Sequence, residues 1–212
     1  GEGGGVLLNQ APHNLDLWQW ICGMPKTVDA KLHYGKWHDI EVEDDVSVYV
    51  EYENGATGTF ITSTGDCPGT NRFEITGEKG KLVYENSKIY FDKLEMSTTE
   101  HIATCDTGFA MPKCEHFEYV LDEPNPQHVG ILNNFANAVL GIEPLYAPAS
   151  DGIKGVTLAN AMLLSTWEND TVDIPFDGQR FYDLLQDKIK NSTVKKVVSE
   201  TNSTDLSSTY NN

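Results

Sequence analysis

The stretch DVSVYVEYENGATGTFITS, residues 45–63, alternates between two sets of side chains with a period of two residues. This is the period of an extended strand, whose successive side chains point to opposite faces. The two sets are Val46, Val48, Val50 and Tyr52 on one face and Ser47, Tyr49 and Glu51 on the other. Asn54 and Gly55 then interrupt the pattern, and this pair favours a hairpin turn because both residues tolerate a positive φ. The stretch therefore predicts an antiparallel hairpin with one covered face.

The flanking segments extend the hairpin into a larger sheet. Residues 72–86 (RFEITGEKGKLVYEN) predict a second hairpin with a glycine-rich turn at 77–80, and residues 27–35 and 87–94 predict one strand each. Residues 95–125 have no clear period and predict loops with one or two edge strands. We therefore predict an α+β fold of two layers, with a large, open, antiparallel-rich sheet that carries helices on one face.

Helical periodicity accounts for most of the remaining chain. It predicts helices over residues 9–22, 126–141, 150–169 and 178–191. The second of these places the apolar stripe Val129, Leu132, Phe135 and Val139 on one face. We predict one domain over residues 1–190 and a polar tail over residues 191–212, which is rich in Ser, Thr and Asn.

The bulk composition excludes several classes of function. The 212 residues carry a formal charge of −17, which repels phosphate backbones and anionic lipids, so we expect no nucleic-acid or membrane partner. No apolar run is long enough to span a bilayer, and residues 1–8 lack the features of a signal peptide. Four scattered cysteines in a chain of this size are typical of reduced thiols, so we predict a cytoplasmic protein. Cys105, Cys114 and His116 match no common zinc spacing, and no metal site is predicted.

A candidate site lies in GGGVLLNQAPHNLDLWQWICGMP, residues 3–25. With Asn9 as the N-cap, the helical period places Asn9, His13, Asp16 and Trp20 on one face, opposite an apolar face. An imidazole one turn into a helix can act as a general base, and Asp16 can orient it. The same pattern also fits a histidine that only hydrogen-bonds a neighbouring loop, with Asp16 interacting with the helix dipole.

The order of these motifs resembles one family, the glucose–fructose oxidoreductase, inositol dehydrogenase and MocA-type dehydrogenases. The resemblance rests on the glycine-rich lead into the histidine-bearing helix, the two hairpins and the late helix pair, and covers about residues 1–190. It implies the family's C-terminal domain, similar in fold to that of dihydrodipicolinate reductase. The N-terminal Rossmann domain that binds NAD or NADP, and the lysine of an E-K-P motif, are then expected outside this chain. No G-x-G-x-x-G motif follows a predicted strand, so we expect this chain alone to bind no cofactor and to be inactive.

The resemblance also implies roles for individual residues. His13 matches the family's catalytic histidine, and Asp16 matches the acidic residue that follows it. Asn9 stands where many members carry Asp, and an amide cannot accept a proton as a carboxylate does. Trp20 and His128 are predicted to line the substrate site. The implied reaction is hydride transfer from a sugar, cyclitol or nucleotide sugar to a nicotinamide cofactor, with His13 taking the hydroxyl proton or sharing that role with the lysine expected outside this chain.

The resemblance further implies self-association through the open face of the sheet, with Tyr49 and the strands rich in Thr and Ser as candidates. A solvated polar face would give the same pattern. Two other functions fit the same sequence: a non-catalytic interaction or scaffold protein, and a carbohydrate-binding module of the same fold. A G-x-G-x-x-G motif and an E-K-P motif upstream in the gene would favour the enzyme over both.

Overall fold

The computed structural model describes residues 4–120 and 126–193. Within these residues it contains the helices α1 (Pro12–Cys22), α2 (Thr98–Thr104), α3 (Gln127–Val139), α4 (Gly152–Glu168) and α5 (Gly178–Asn191), and a 3₁₀ turn at Ala149–Asp151. Its strands are β1 (Thr27–Tyr34), β2 (Glu43–Glu51), β3 (Thr57–Ser63), β4 (Arg72–Gly77), β5 (Gly80–Glu85), β6 (Lys88–Leu94), β7 (Cys114–Val120) and β8 (Val172–Asp173).

These strands form two four-stranded antiparallel sheets, in the orders β3-β2-β1-β8 and β4-β5-β6-β7. The mixed, antiparallel-rich fold predicted from the sequence is confirmed, but the strands are divided between two sheets instead of forming one large sheet. The chain also separates into two compact units. Of the described residues, the first unit combines 4–65 with 148–193, and the second combines 66–120 with 126–147.

The first unit has a well-buried apolar core. The valines of β2 that the sequence assigns to the covered face are buried, as are Val28, Ala30 and Leu32 of β1. Helix α4 packs on β1 and also contacts α1. Its buried Ser165 accepts a hydrogen bond from the Ala30 N–H at 2.9 Å, which ties the helix to the strand. Helices therefore cover one face of this sheet, as predicted.

The predicted hairpin turn at Asn54 and Gly55 is confirmed. Gly55 has a φ of +83°, and the Tyr52 N–H donates to the Ala56 carbonyl at 2.9 Å, which closes the turn between β2 and β3. The opposite face of this sheet carries Ser47, Tyr49 and Glu51, which are exposed.

The second unit has a much smaller buried core. Val83 and Asn134 are its only described residues in the buried class. Asn134 donates from Nδ2 to the Pro144 carbonyl and accepts from the Tyr146 N–H, which fixes the segment after α3. The apolar stripe predicted on α3 is present, but its members Val129, Leu132, Phe135 and Val139 are all exposed. Helix α2 lies in a segment that the sequence predicts as loop and edge strand.

Candidate functional site

The glycine-rich segment before α1 is clamped to the first residue of β2. The Val6 N–H donates to the Glu43 carbonyl at 2.9 Å, and the Leu7 N–H donates to Glu43 Oε1 at 3.1 Å. A Cβ atom added at Gly5 would lie 2.0 Å from the Glu43 carbonyl oxygen, so only glycine fits there. Glu43 is 2% exposed, and this burial raises the pKa of its carboxyl group.

The segment then forms a helical turn of its own before α1 begins. The N–H groups of Leu8 and Asn9 both donate to the Gly5 carbonyl, at 3.2 and 3.1 Å. Asn9 therefore lies inside this turn, and the prediction that it is the N-cap is wrong. The N-cap is Ala11, which makes no side-chain cap bond, and Pro12 occupies the first helical position. Pro12 has no N–H to donate back along the chain, so the helical bonding is interrupted there and α1 starts anew.

Helix α1 divides into a buried and an exposed face as the helical period predicts. Leu15 and Trp18 are buried, and the Trp18 ring stacks on Phe60 with the ring centroids 5.6 Å apart. His13 and Trp20 are exposed, Trp20 to 77%. The buried face fixes the rotation of the helix, and the rotation directs the other face to solvent.

The polar residues on the exposed face differ in how firmly they are held. Asp16 Oδ1 accepts a hydrogen bond from Gln19 Nε2 at 2.8 Å, and Gln19 is itself buried. Asp16 is therefore oriented by the helix itself. Over residues 4–120 and 126–193 the structure gives the imidazole ring of His13 no hydrogen-bond or ion-pair partner.

The remaining predicted site residue, His128, lies in the second unit. It is in the first turn of α3 and is exposed.

Sequence reasoning missed the two buried carboxylates at the start of β2. Next to Glu43, Asp44 accepts hydrogen bonds from the N–H groups of Lys36, Trp37 and His38 at 3.0, 2.8 and 3.0 Å. Burial alone would raise the pKa of Asp44, but these donors outweigh it and hold that pKa below its ordinary value. The signal was the acidic run EDD at the start of an otherwise apolar strand, next to a turn that is expected to leave backbone N–H groups unpaired.

Two of the three residues considered as metal ligands do lie together, in the second unit. Cys114 and His116 are two residues apart on β7, and their side chains lie close to that of Asp92 on β6. Cys105 is not part of this group, and its Sγ donates to the Thr107 carbonyl at 3.0 Å.

Over the described ranges, no helix combines the length and the apolar character that crossing a bilayer requires.

Comparison with known proteins confirms the resemblance that the sequence predicts. Residues 1–83 match the family model described as the GFO/IDH/MocA C-terminal domain. An uncharacterized protein of Sinorhizobium fredii, y4oX, is 29% identical over 90 residues, which cover 40% of this chain and 25% of that protein.

Solved oxidoreductases share the fold. One is the WlbA dehydrogenase of Chromobacterium violaceum in complex with NADH and UDP-GlcNAcA, with a TM-score of 0.59 and 25% identity over 82% of this chain and 47% of that one. Another is levoglucosan dehydrogenase in complex with NADH and levoglucosan, with a TM-score of 0.63 and 18% identity over 82% of this chain and 51% of that one. The chain thus spans about half the length of these solved structures and a quarter of the curated relative.

Proposed function

Because residues 1–83 match the model of the GFO/IDH/MocA C-terminal domain, we propose that this chain is the substrate-binding and self-associating part of an NAD(P)-dependent oxidoreductase. The proposed substrate is a sugar, cyclitol or nucleotide sugar that is oxidised at a hydroxyl-bearing carbon. The sugar ligands of WlbA and of levoglucosan dehydrogenase support this substrate class. The observation that carries the proposal is the exposed His13, whose ring has no partner among the described residues. Its helix follows a segment that is hydrogen-bonded to Glu43.

The described residues do not fit a dinucleotide by themselves. Every strand pairing in residues 4–120 and 126–193 is antiparallel, whereas a dinucleotide fold needs a parallel βαβ unit with a glycine-rich turn. In the proposal, the cofactor is bound by another part of the full-length protein, where its nicotinamide accepts the hydride. The residues of this chain hold the substrate and move its proton.

Each residue on the exposed face has a proposed role. His13 accepts the proton of the hydroxyl group that becomes a carbonyl, because its ring has no other partner among the described residues. Asp16, held by Gln19, accepts a hydrogen bond from a neighbouring hydroxyl group. Trp20 offers an exposed aromatic face against which the apolar side of a sugar ring can pack. Asn9 is proposed as a further hydrogen-bonding group for the substrate, and the role of His128 stays a prediction from the sequence.

The test uses the full-length protein encoded by the gene, screened with NAD⁺ and NADP⁺ against polyols, sugars and nucleotide sugars. We expect His13→Ala to lower kcat by about a hundredfold or more, the usual scale for losing an acid–base group. His101→Ala is the matched control, since the His101 ring bonds the Ala110 carbonyl within the second unit, and the activity of this variant should be unchanged. An unaltered pH–rate profile in His13→Ala would remove this histidine from the mechanism.

Self-association is proposed through the open face of the first sheet. Tyr49 and Ile61 are exposed on this face, and a second copy of the sheet would cover the apolar surface that they offer. Light scattering of the wild-type protein at micromolar concentration should give at least a dimer, and Ile61→Lys should shift it toward monomer. Ile153→Lys, at an exposed isoleucine on α4, is the control. A monomeric wild-type protein would contradict the proposal.

A further inference from the structure

A cluster of three different metal-binding side chains lies on the second sheet. The Asp92 carboxylate, the Cys114 Sγ and a ring nitrogen of His116 all lie within 4.8 Å of one another. His116 Nδ1 is 2.7 Å from Asp92 Oδ1 and 4.0 Å from Cys114 Sγ. The cluster borders an open pocket of about 510 Å³ whose rim includes Met111 and Thr98.

The register of the strands brings the three side chains together. Asp92 on β6 lies directly opposite His116 on β7, and Leu94 lies opposite Cys114. Directly opposed residues share a face, and so do residues two apart on one strand. Asp92, Cys114 and His116 therefore project from the same face of two adjacent hydrogen-bonded strands. Their spacing is fixed by the backbone pairing and not by a flexible loop.

The contacts converge on one atom. Both Asp92 and Cys114 approach Nδ1 of His116, although a proton on that nitrogen can satisfy only one of them well. A cation in this place would satisfy all three at once. Around a tetrahedral zinc ion with bonds of about 2.0–2.3 Å, neighbouring ligand atoms lie about 3.3–3.8 Å apart. The observed 2.7 and 4.0 Å fall on either side of this range, so small rotamer adjustments bring both distances into it.

The charges around the cluster also suit a cation. Lys81 lies opposite Asp92 in the sheet register, but its ammonium group pairs with Glu74 Oε1 at 2.7 Å. The ammonium is thereby engaged elsewhere. Glu115 adds a further negative charge next to the thiol.

We propose that Asp92, Cys114 and His116 bind one divalent transition-metal ion of the zinc and cobalt class. A thiolate and an imidazole select such a borderline-soft ion over Mg²⁺ or Ca²⁺, which take oxygen ligands. Three protein ligands leave a fourth position open toward the pocket, for water or for a small ligand with an oxygen or nitrogen donor. This site lies within the second unit and does not depend on the role proposed for His13.

The experiment titrates the metal-free full chain with Co²⁺, whose absorption reports its ligands. We expect one Co²⁺ per chain, with a thiolate-to-cobalt charge-transfer band and the visible bands of a tetrahedral ion. Zn²⁺ should displace the Co²⁺ and remove both. Cys114→Ser should abolish the charge-transfer band. His116→Ala and Asp92→Asn should each weaken Co²⁺ binding by at least about tenfold. Substituting residues that only support a metal ligand already causes a loss of that size.

Matched controls lie in the same unit. Cys105→Ser removes a cysteine of similar burial, and His101→Ala removes another histidine, so both should bind Co²⁺ as the wild type does. The ligand side chains lie at the surface, so the variants should keep the wild-type far-ultraviolet circular dichroism. A charge-transfer band that survives Cys114→Ser, or is lost in Cys105→Ser, would overturn the proposal. So would a wild-type chain that takes up no Co²⁺ at micromolar concentration.

Discussion

Asp44→Ala should strongly destabilise the first unit, because one buried carboxylate holds the backbone of a whole loop. The side chain of Asp44 is 1% exposed and accepts three backbone N–H groups from residues 36–38, at 2.8–3.0 Å. Hydrogen bonds to a charged group contribute about 1.5–3 kcal/mol each. The loop is exposed, so water can replace the lost acceptor, and we take about 1 kcal/mol per bond. The expected loss is about 3 kcal/mol of the free energy of unfolding.

Tryptophan fluorescence in urea measures this loss in the unit concerned. All four tryptophans of the chain (Trp18, Trp20, Trp37 and Trp167) lie in the first unit. With a urea m-value of about 2 kcal/mol per molar, the midpoint should fall by about 1.5 M while m stays unchanged. Asp44→Asn, which keeps one acceptor oxygen, should lose about half as much. Asp39→Ala is the control in the same loop and should change stability by less than about 0.5 kcal/mol. A loss below about 1 kcal/mol in Asp44→Ala would refute the view that these bonds hold the loop.

Two further predictions concern the same region. Gly5→Ala should lower the free energy of unfolding by about 2 kcal/mol or more, because the new Cβ would lie 2.0 Å from the Glu43 carbonyl oxygen. Gly155→Ala in α4 has open space around its Cβ and should raise the free energy of unfolding by up to about 1 kcal/mol. The same urea assay measures both changes. Equal effects of the two substitutions would contradict the close packing of Gly5 against Glu43. Asp45 pairs with Lys36, which lowers its pKa from 3.8 to about 2, so its contribution is present above pH 3.8 and is lost as the pH falls toward 2. After allowance for the exposed lysine, the difference in stability between wild type and Asp45→Asn should shrink by about 1 kcal/mol between pH 5 and pH 2, and a constant difference would contradict the assignment.

The parts of the fold that the sequence predicts are those with a local cause. The alternation before Asn54 and the positive φ that Gly55 accepts are both encoded within a few residues, and the hairpin is observed there. Helix α2 escaped prediction because it has no apolar stripe and depends on distant partners. Its first turn is capped by Ser97, and the Thr98 and Thr99 N–H groups donate to Glu78 in the turn between β4 and β5. Such non-local bonds leave no periodic pattern in the helix itself.

The start of α1 shows a different limit. A capping residue, a proline in the first turn and a helical period all fit a start at Asn9, yet the helix begins at Pro12. The deciding contact is the hydrogen bond from the Val6 N–H to the carbonyl of Glu43, which is more than 30 residues away. With Val6 fixed, the Gly5 carbonyl accepts hydrogen bonds from the N–H groups of Leu8 and Asn9. The apolar stripe on α3 shows the same limit. Its periodicity predicts an apolar face, but whether another element covers that face depends on residues far along the chain.

The position of His13 depends on the backbone around it and not on contacts of its own ring. Its ring has no partner in the described part of the chain, so its place is set by the packing of Leu15 and Trp18 and by the Glu43 clamp before the helix. In the role proposed for it, His13 would meet a substrate hydroxyl without first breaking a hydrogen bond of its ring to another described residue. Under the same proposal, the buried Glu43 would influence proton transfer without touching the substrate, because a shift in its hydrogen bonds to Val6 and Leu7 would move α1 and the imidazole with it.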